Sequence, residues 1–87
     1  MFLNSLEVAR KFPKPARGNQ SPTDYARALF KVYRDRSRAI GHDITYRHIT
    51  ALMDLAAQEA LRGQTHALRK ARIIKDELID EWIDGAL

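Results

Sequence analysis

Three of the four glycines constrain the fold most strongly, because Gly41, Gly63 and Gly85 each follow a stretch of apolar residues with helical spacing. A glycine directly after the last periodic residue can adopt the left-handed conformation that ends many helices. No stretch alternates between apolar and polar residues for long enough to form a β-strand. The sequence therefore predicts an all-α protein, a small antiparallel three-helix bundle. The predicted helices span about residues 22–40, 45–62 and 66–84.

Each predicted helix also begins at a recognisable signal. Ser21 can cap the first helix, Pro22 suits its first position, and Asp24 lies where a capping acid is favoured. The predicted caps of the later helices are Asp43 or Thr45, and Thr65. The apolar residues expected on the core faces are Tyr25, Ala26, Leu29, Phe30, Tyr33 and Ile40, then Tyr46, Ile49, Leu52, Met53, Ala56 and Ala60, then Ala67, Ala71, Ile74, Leu78 and Trp82.

The beginning of the chain is predicted to be a separate N-terminal segment. Residues 2–12 have the apolar spacing of a short amphipathic helix, but Pro13 and Pro15 prevent its continuation. The basic stretch that contains these prolines indicates an extended linker or arm. We expect residues 1–20 to pack on the bundle or to extend from it, and residues 21–87 to form the bundle domain.

Length and composition restrict the class of protein. With 87 residues the chain is one domain, and without cysteine it has neither disulfides nor a thiolate metal site. No basic start followed by a long apolar run indicates a secretory signal. No stretch reaches the roughly 18 apolar residues of a membrane span. We therefore expect a cytoplasmic protein that does not associate with a membrane.

The charge of the chain is unevenly distributed. The net charge is +4 at neutral pH. Residues 1–50 contain ten Lys and Arg residues and four acids, whereas residues 51–87 contain five and seven. The chain thus has a basic first part and an acidic last part, and the basic part favours a negatively charged partner.

The most specific functional signal is a set of cations on the first predicted helix. Four of them follow one another at spacings of four, three and four residues. At about 100° per residue their side chains fall within roughly 60° of arc, opposite the apolar residues. We predict that this helix face and the cations of the preceding arm together bind a partner. The predicted binding residues are Arg27, Lys31, Arg34, Arg38, Lys11, Lys14 and Arg17.

Three interpretations of these cations remain open. They can form an ordinary solvated helix surface, which is common for charged helix faces. They can bind an acidic protein, or they can contact the phosphate backbone of a nucleic acid. Between the two kinds of partner, we slightly favour protein over DNA or RNA. A helix-turn-helix with its turn at Gly41 matches weakly, because Arg36, Ser37 and Arg47 occupy positions that should be small or buried.

A second surface is predicted at the end of the last helix, which is acidic and therefore opposes the helix dipole. Basic residues of the same molecule or of a partner are expected to compensate its acids, which are Asp76, Glu77, Asp80, Glu81 and Asp84. Some apolar residues also fall outside the expected core faces, so they are either exposed or part of wider core faces. These residues are Leu55, Leu61, Ile73 and Ile83. A homo-oligomer is possible, and its predicted surface consists of Ile73, Ile83, Asp80 and Asp84.

No pattern indicates catalysis, a metal site or a cofactor. His42, His48 and His66 lack the i, i+4 spacing of a helical metal site, and neither a phosphate-binding glycine loop nor a nucleophile elbow is present. A bundle of this size also has little room for a deep pocket. We therefore expect a small non-enzymatic binding protein that engages an acidic protein through its basic helix face. It would be a regulator or adaptor, of the compact kind common among bacterial and phage accessory proteins.

Overall fold

The computed structural model describes residues 14–40 and 46–85, and it confirms the predicted three-helix bundle. Helix α1 spans Pro22–Ile40, α2 spans Tyr46–Ala60 and α3 spans Thr65–Ile83. Every pair of helices is in contact. Consecutive helices run in opposite directions, because Tyr46 at the start of α2 contacts Trp82 near the end of α3, and Ala60 at the end of α2 lines a groove with Tyr25 near the start of α1. Within the described ranges the chain has no β-strand. The bundle is therefore of the up-down-up type, in which α1 and α3 are parallel.

The predicted helix bounds agree closely with those observed. Those of α1 are identical, whereas α2 and α3 differ from prediction by one or two residues at their ends. Two groups of predictions lie outside the described residues. One is the short helix at residues 2–12 with its cation Lys11. The other is the connection between α1 and α2, with Gly41, Asp43 and Thr45 as predicted helix ends.

Helix α1 begins as the sequence predicts. The backbone N–H of Asp24 donates to Ser21 Oγ at 3.2 Å, and the backbone N–H of Tyr25 donates to the Ser21 carbonyl oxygen at 2.8 Å. Pro22 occupies the first helical position, where its missing N–H leaves no bond unmade. Ser21 therefore satisfies a backbone donor that the helix itself cannot pair.

The start of α3 differs from the prediction, in which Thr65 was the cap. Gln64 occupies the cap position without a side-chain bond to the helix, and Thr65 is the first helical residue. Gly63 ends the preceding turn as predicted, with φ at 78°. The backbone N–H of Leu68 already donates to the Gln64 carbonyl oxygen at 2.9 Å, so helical bonding begins before Thr65. A residue in helical conformation cannot act as the N-cap.

The core lies between the three helices and contains most of the residues that helical spacing predicts. The buried apolar residues are Tyr25, Ala26, Leu29, Phe30, Tyr33, Ile49, Met53, Ala56, Ala57, Leu61, Ala71 and Ile79. Leu61 was expected off the core face of the second helix, but it is 0% exposed. Together with Ala57, four residues earlier, it extends the buried side of α2. A helix packed against two neighbours buries a broader stripe than one neighbour requires.

Three aromatic rings join the helices at one end of the bundle. The ring of Trp82 on α3 lies 5.8 Å from that of Phe30 on α1 and 4.7 Å from that of Tyr46 on α2, both at 89°. Such edge-to-face contacts are favourable for aromatic pairs. Trp82 is therefore a core anchor, as expected. Tyr46, predicted to lie in the core, is exposed at its rim and covers Trp82.

Candidate functional site

Four cations form a ridge on the side of α1 away from the core. We call this ridge the cationic face, and its members are Arg27, Lys31, Arg34 and Arg38. Arg27, Lys31 and Arg38 are exposed, whereas the side chain of Arg34 is only 21% exposed. Because a helix rises about 1.5 Å per residue, the ridge is about 16 Å long. The buried residues of α1 recur on the other side of the helix and hold the ridge toward solvent.

Two acids of α1 border the cationic face. An Asp24 carboxylate oxygen lies 3.5 Å from Nη1 of Arg27. An Asp35 carboxylate oxygen lies 3.3 Å from Nε and from Nη2 of Arg34. Surface pairs of this kind each contribute on the order of 0–1 kcal/mol. They nevertheless reduce the repulsion between the cations, so that the face combines a surplus of positive charge with two acids at its margin.

Arg34 differs from the other members of the cationic face. Its guanidinium carbon lies 5.5 Å from the centroid of the Phe30 ring, which is buried and contacts Trp82 in turn. A guanidinium over an aromatic ring gains a cation–π attraction. Arg34 therefore contributes to packing at the end of the bundle, while Arg27, Lys31 and Arg38 are exposed.

The arm that precedes α1 lies against α2. Lys14 Nζ pairs with the carboxylate of Glu59 on α2, and the hydroxyl of Tyr25 donates to the Pro15 carbonyl oxygen at 2.9 Å. These contacts hold the arm over the groove between α1 and α2. The second arm cation, Arg17, donates through Nε to a backbone oxygen of the arm itself at 3.0 Å. Lys14 and Arg17, the arm cations within the described residues, are thus both engaged within the molecule.

The cationic face and the arm lie at different edges of α1. Phe30 directs its ring to α3, and Arg34 lies over the same ring, so the cationic face borders α3. Tyr25 is on the opposite edge, where it lines the groove with residues of α2. The structure therefore does not join the predicted arm and helix cations into one surface. The four cations of α1 remain together, whereas Lys14 and Arg17 lie apart from them.

The groove beneath the arm is open and has a volume of about 320 Å³. Its lining residues are Lys14, Pro15, Ala16, Arg17, Tyr25, Ala56, Glu59 and Ala60. The hydrogen bond from Lys14, and then the lysine charge, lower the pKa of the Glu59 carboxyl. Burial raises the pKa of the Tyr25 phenol, and the negative charge of Glu59 raises it further. The polar groups of the groove thus serve to hold the arm.

The end of α3 presents acids and two isoleucines to solvent. The exposed acids are Asp76, Glu77, Asp80, Glu81 and Asp84. Ile73 and Ile83 are each 52% exposed, which confirms that they lie off the core face. At about 100° per residue, these isoleucines, Asp80 and Asp84 fall within roughly 100° of arc. The residues of the predicted oligomer surface therefore share one side of α3.

One charged side chain is buried that the sequence did not lead us to expect. Lys75 is 6% exposed, and its Nζ lies 3.1 Å from an Asp54 oxygen on α2 and 2.8 Å from an Asp76 oxygen. Arg72 Nε also lies 3.6 Å from the same oxygen of Asp54. Helical spacing could have indicated this burial, because Lys75 lies four residues before Ile79 and therefore on the same, buried face of α3. The lysine stem packs in the core, and its ammonium group bridges two helices.

A small cavity lies between the helices. The cavity beneath Asp54 and Lys75 has a volume of about 10 Å³, the space of a single water molecule. In the part of the chain that the structure describes, no group of three or more His, Cys, Asp or Glu residues is arranged to hold a metal ion. His48 is half-buried and His66 is exposed, while His42 lies outside the described residues.

Comparison with known proteins assigns no family. No family model matches the chain, and no curated protein or solved structure is significantly similar to it. Among the helices described here, none is both long enough and apolar enough to cross a membrane.

Proposed function

We propose that the chain is a cytoplasmic, non-enzymatic regulator or adaptor that binds an acidic protein through the cationic face of α1. The observation that carries the proposal is the ridge from Arg27 to Arg38, on a helix whose other side is firmly packed in the core. A rigid row of cations complements a row of carboxylates and speeds encounter with it.

Two features favour a protein partner over a nucleic acid. Asp24 and Asp35 border the cationic face, and a phosphate backbone that lay along the ridge would meet them at close range. A protein surface can instead match acids and cations individually. In addition, Lys14 pairs with Glu59 and cannot add a phosphate contact without losing that partner. Nucleic acid remains the alternative, since the four spaced cations alone are compatible with backbone contacts.

The proposal is tested with a synthetic glutamate-rich helical peptide as probe, titrated by fluorescence anisotropy. The variant R27E/K31E/R38E reverses three exposed cations and keeps Arg34 over Phe30. The variant R47E/R62E/R69E changes the net charge equally, because all three residues are also exposed cations. We expect the first variant to lose at least about tenfold in affinity and the second much less, as a loss of about 1.4 kcal/mol is tenfold. Equal losses would mean that only the net charge matters, and would overturn the proposal.

A parallel titration with random duplex DNA and with RNA examines the alternative. Contacts to phosphates make affinity fall steeply with the logarithm of salt concentration. We expect both nucleic acids to bind more weakly than the peptide at about 50 mM salt. Tighter binding to either nucleic acid, lost in R27E/K31E/R38E and kept in R47E/R62E/R69E, would replace the protein-binding proposal by the nucleic-acid one.

A further inference from the structure

The cationic face lies beside a row of acids on the neighbouring helix. Helices α1 and α3 are parallel, and Phe30 and Trp82 connect them near one end. On α3, Glu77 and Glu81 are exposed and lie about 40° apart around the helix. By the same helical spacing, both glutamates lie nearer than Ile73 does to the edge of α3 that faces α1. One side of the bundle thus carries a row of cations on α1 and a row of acids on α3.

The structure fixes how far the two rows overlap along the bundle. Ala26 of α1 lines the same small cavity as Ala71 and Lys75 of α3. Farther along, Phe30 contacts Trp82, whose side chain leans toward the start of its helix. Positions 26–34 of α1 therefore lie at the level of about 73–81 of α3, at a rise of about 1.5 Å per residue in both. Glu77 and Glu81 therefore lie at about the level of positions 30–34, beside the middle of the cationic face.

We propose that this α1–α3 side is the contact surface of a homodimer, in which the cationic face of each copy lies on the acidic row of the other. The inference rests on the proposed function, because it names the acidic row of a second copy as the acidic protein surface that occupies the cationic face. A two-fold axis that lies in the contact surface, parallel to α1 and α3 and midway between the rows, places each row on the opposite row of the other copy. Each copy then contributes Arg27 and Lys31 to one half of the contact and Glu77 and Glu81 to the other. Such an interface is self-complementary and closed, so it ends at the dimer.

The charges favour this arrangement over other contacts between copies. If the second copy docked with its rows in the same order, cations would face cations and acids would face acids, which costs free energy. The acids near the end of α3 also oppose the helix dipole, and cations from a partner would compensate them. Ile73 lies at the outer edge of the acidic row, where a second copy would cover part of its exposed side chain.

The size of the surface indicates a weak dimer. Two parallel helices of 19 residues offer a side roughly 28 Å long and about 20 Å wide. Both copies together would bury on the order of 1,200 Å², which is the lower end of the range for specific interfaces. Because most contacts are between exposed charges, salt weakens them. We therefore expect association that depends on both protein concentration and ionic strength.

Sedimentation equilibrium with two charge-reversed variants tests the dimer. R27E/K31E introduces two acids into the cationic face where the acidic row of the partner would lie, and E77K/E81K replaces the acidic row by cations; all four positions are exposed, so the fold should be retained. We expect the native chain to dimerise at about 50 mM salt and to dissociate at about 500 mM salt. Each variant alone should be monomeric, and an equimolar mixture should form dimers again. The control R47E/R62E, which leaves both rows unchanged, should dimerise like the native chain.

The outcomes separate this inference from the proposed function. A native chain that stays monomeric at low salt, variants that each dimerise as well as the native chain, or a mixture of variants that stays monomeric would each overturn the dimer. If E77K/E81K is monomeric and binds the glutamate-rich peptide at least as well as the native chain, both proposals are supported. If R27E/K31E binds that peptide as tightly as the native chain does, the proposed function fails, whatever the sedimentation result.

Discussion

Lys75 and Asp54 form an ion pair of 3.1 Å between α3 and α2, in which the lysine is almost completely buried and the aspartate remains about one-third exposed. Removing charges from water costs free energy that mutual attraction only partly returns. The pair is therefore a weak source of net stability. Its ammonium group has carboxylates on two sides, from Asp54 of α2 and from Asp76 of α3.

Removal of Asp54 should destabilise the bundle more than removal of the lysine charge. We expect Asp54→Ala to lower the free energy of unfolding by about 1–3 kcal/mol, because it leaves a buried ammonium with one exposed partner. Lys75→Met keeps the packed stem and should cost less than about 1 kcal/mol. Asp76→Ala is the control, since its carboxylate is mostly exposed. Urea unfolding measures all three, and a larger loss for Lys75→Met than for Asp54→Ala would contradict the interpretation.

Two leucines near the end of α2 should respond very differently to the same substitution. Leu61 is 0% exposed, whereas Leu55 is 57% exposed. We expect Leu61→Ala to cost about 2–5 kcal/mol in the free energy of unfolding through lost burial and the cavity left behind. Leu55→Ala should stay within about 0.5 kcal/mol of the native chain. Similar losses in urea unfolding would show that the turn after α2 does not bury Leu61.

Tyr33 should make the bundle sensitive to alkaline pH. Burial raises the pKa of Tyr33 from 10.0 to about 12, and the charges of Tyr25 and Glu59 act in the same direction. Because the folded pKa lies above the unfolded one, the stabilising contribution is complete below pH 10 and is lost as pH rises toward 12. Tyr33→Phe keeps the ring and should lose less stability than the native chain over this range. Urea unfolding from about pH 9 upward checks this, and equal losses would contradict it.

Arg34 should stabilise the fold more than its neighbour on the cationic face. Arg34→Ala removes the guanidinium over Phe30 and uncovers part of the ring. We expect a loss of about 1 kcal/mol, from the cation–π attraction and the packing of the arginine stem. Lys31→Ala is the matched control, because Lys31 is exposed on the same face, and it should cost less than about 0.5 kcal/mol. Equal thermal or urea stability of the two variants would mean that Arg34 is only a surface charge.

Features that depend on neighbours in sequence could be predicted well. The three helices, the cap at Ser21 and the turn at Gly63 follow from local backbone chemistry. The arc shared by the four cations of α1 follows from helical spacing alone. For the same reason, Ile73 and Ile83 could be placed on the outer side of α3 before the packing of the helices was known.

Features that depend on tertiary packing could not be predicted. Leu61 is buried because α2 packs against two helices at once, which widens its core face. Lys75 is buried because Asp54 approaches it from another helix. The spacing of residues along the sequence does not reveal a pair between two helices. Lys14 pairs with Glu59, 45 positions later in the chain, so the arm lies against α2. The positive charge of the arm had suggested that it extends the cationic face, but the two lie apart.

The most direct test of the proposed function is to locate the bound acidic peptide on the protein. Titration of the glutamate-rich peptide into isotopically labelled protein, followed by backbone amide NMR spectra, maps the contact residue by residue. We expect the largest shift changes along the exposed side of α1, around Arg27, Lys31 and Arg38, with little change at the exposed cations Arg62 and Arg69. Changes centred on Arg62 and Arg69, or spread evenly over all exposed cations, would contradict the proposal that the cationic face of α1 is the binding site.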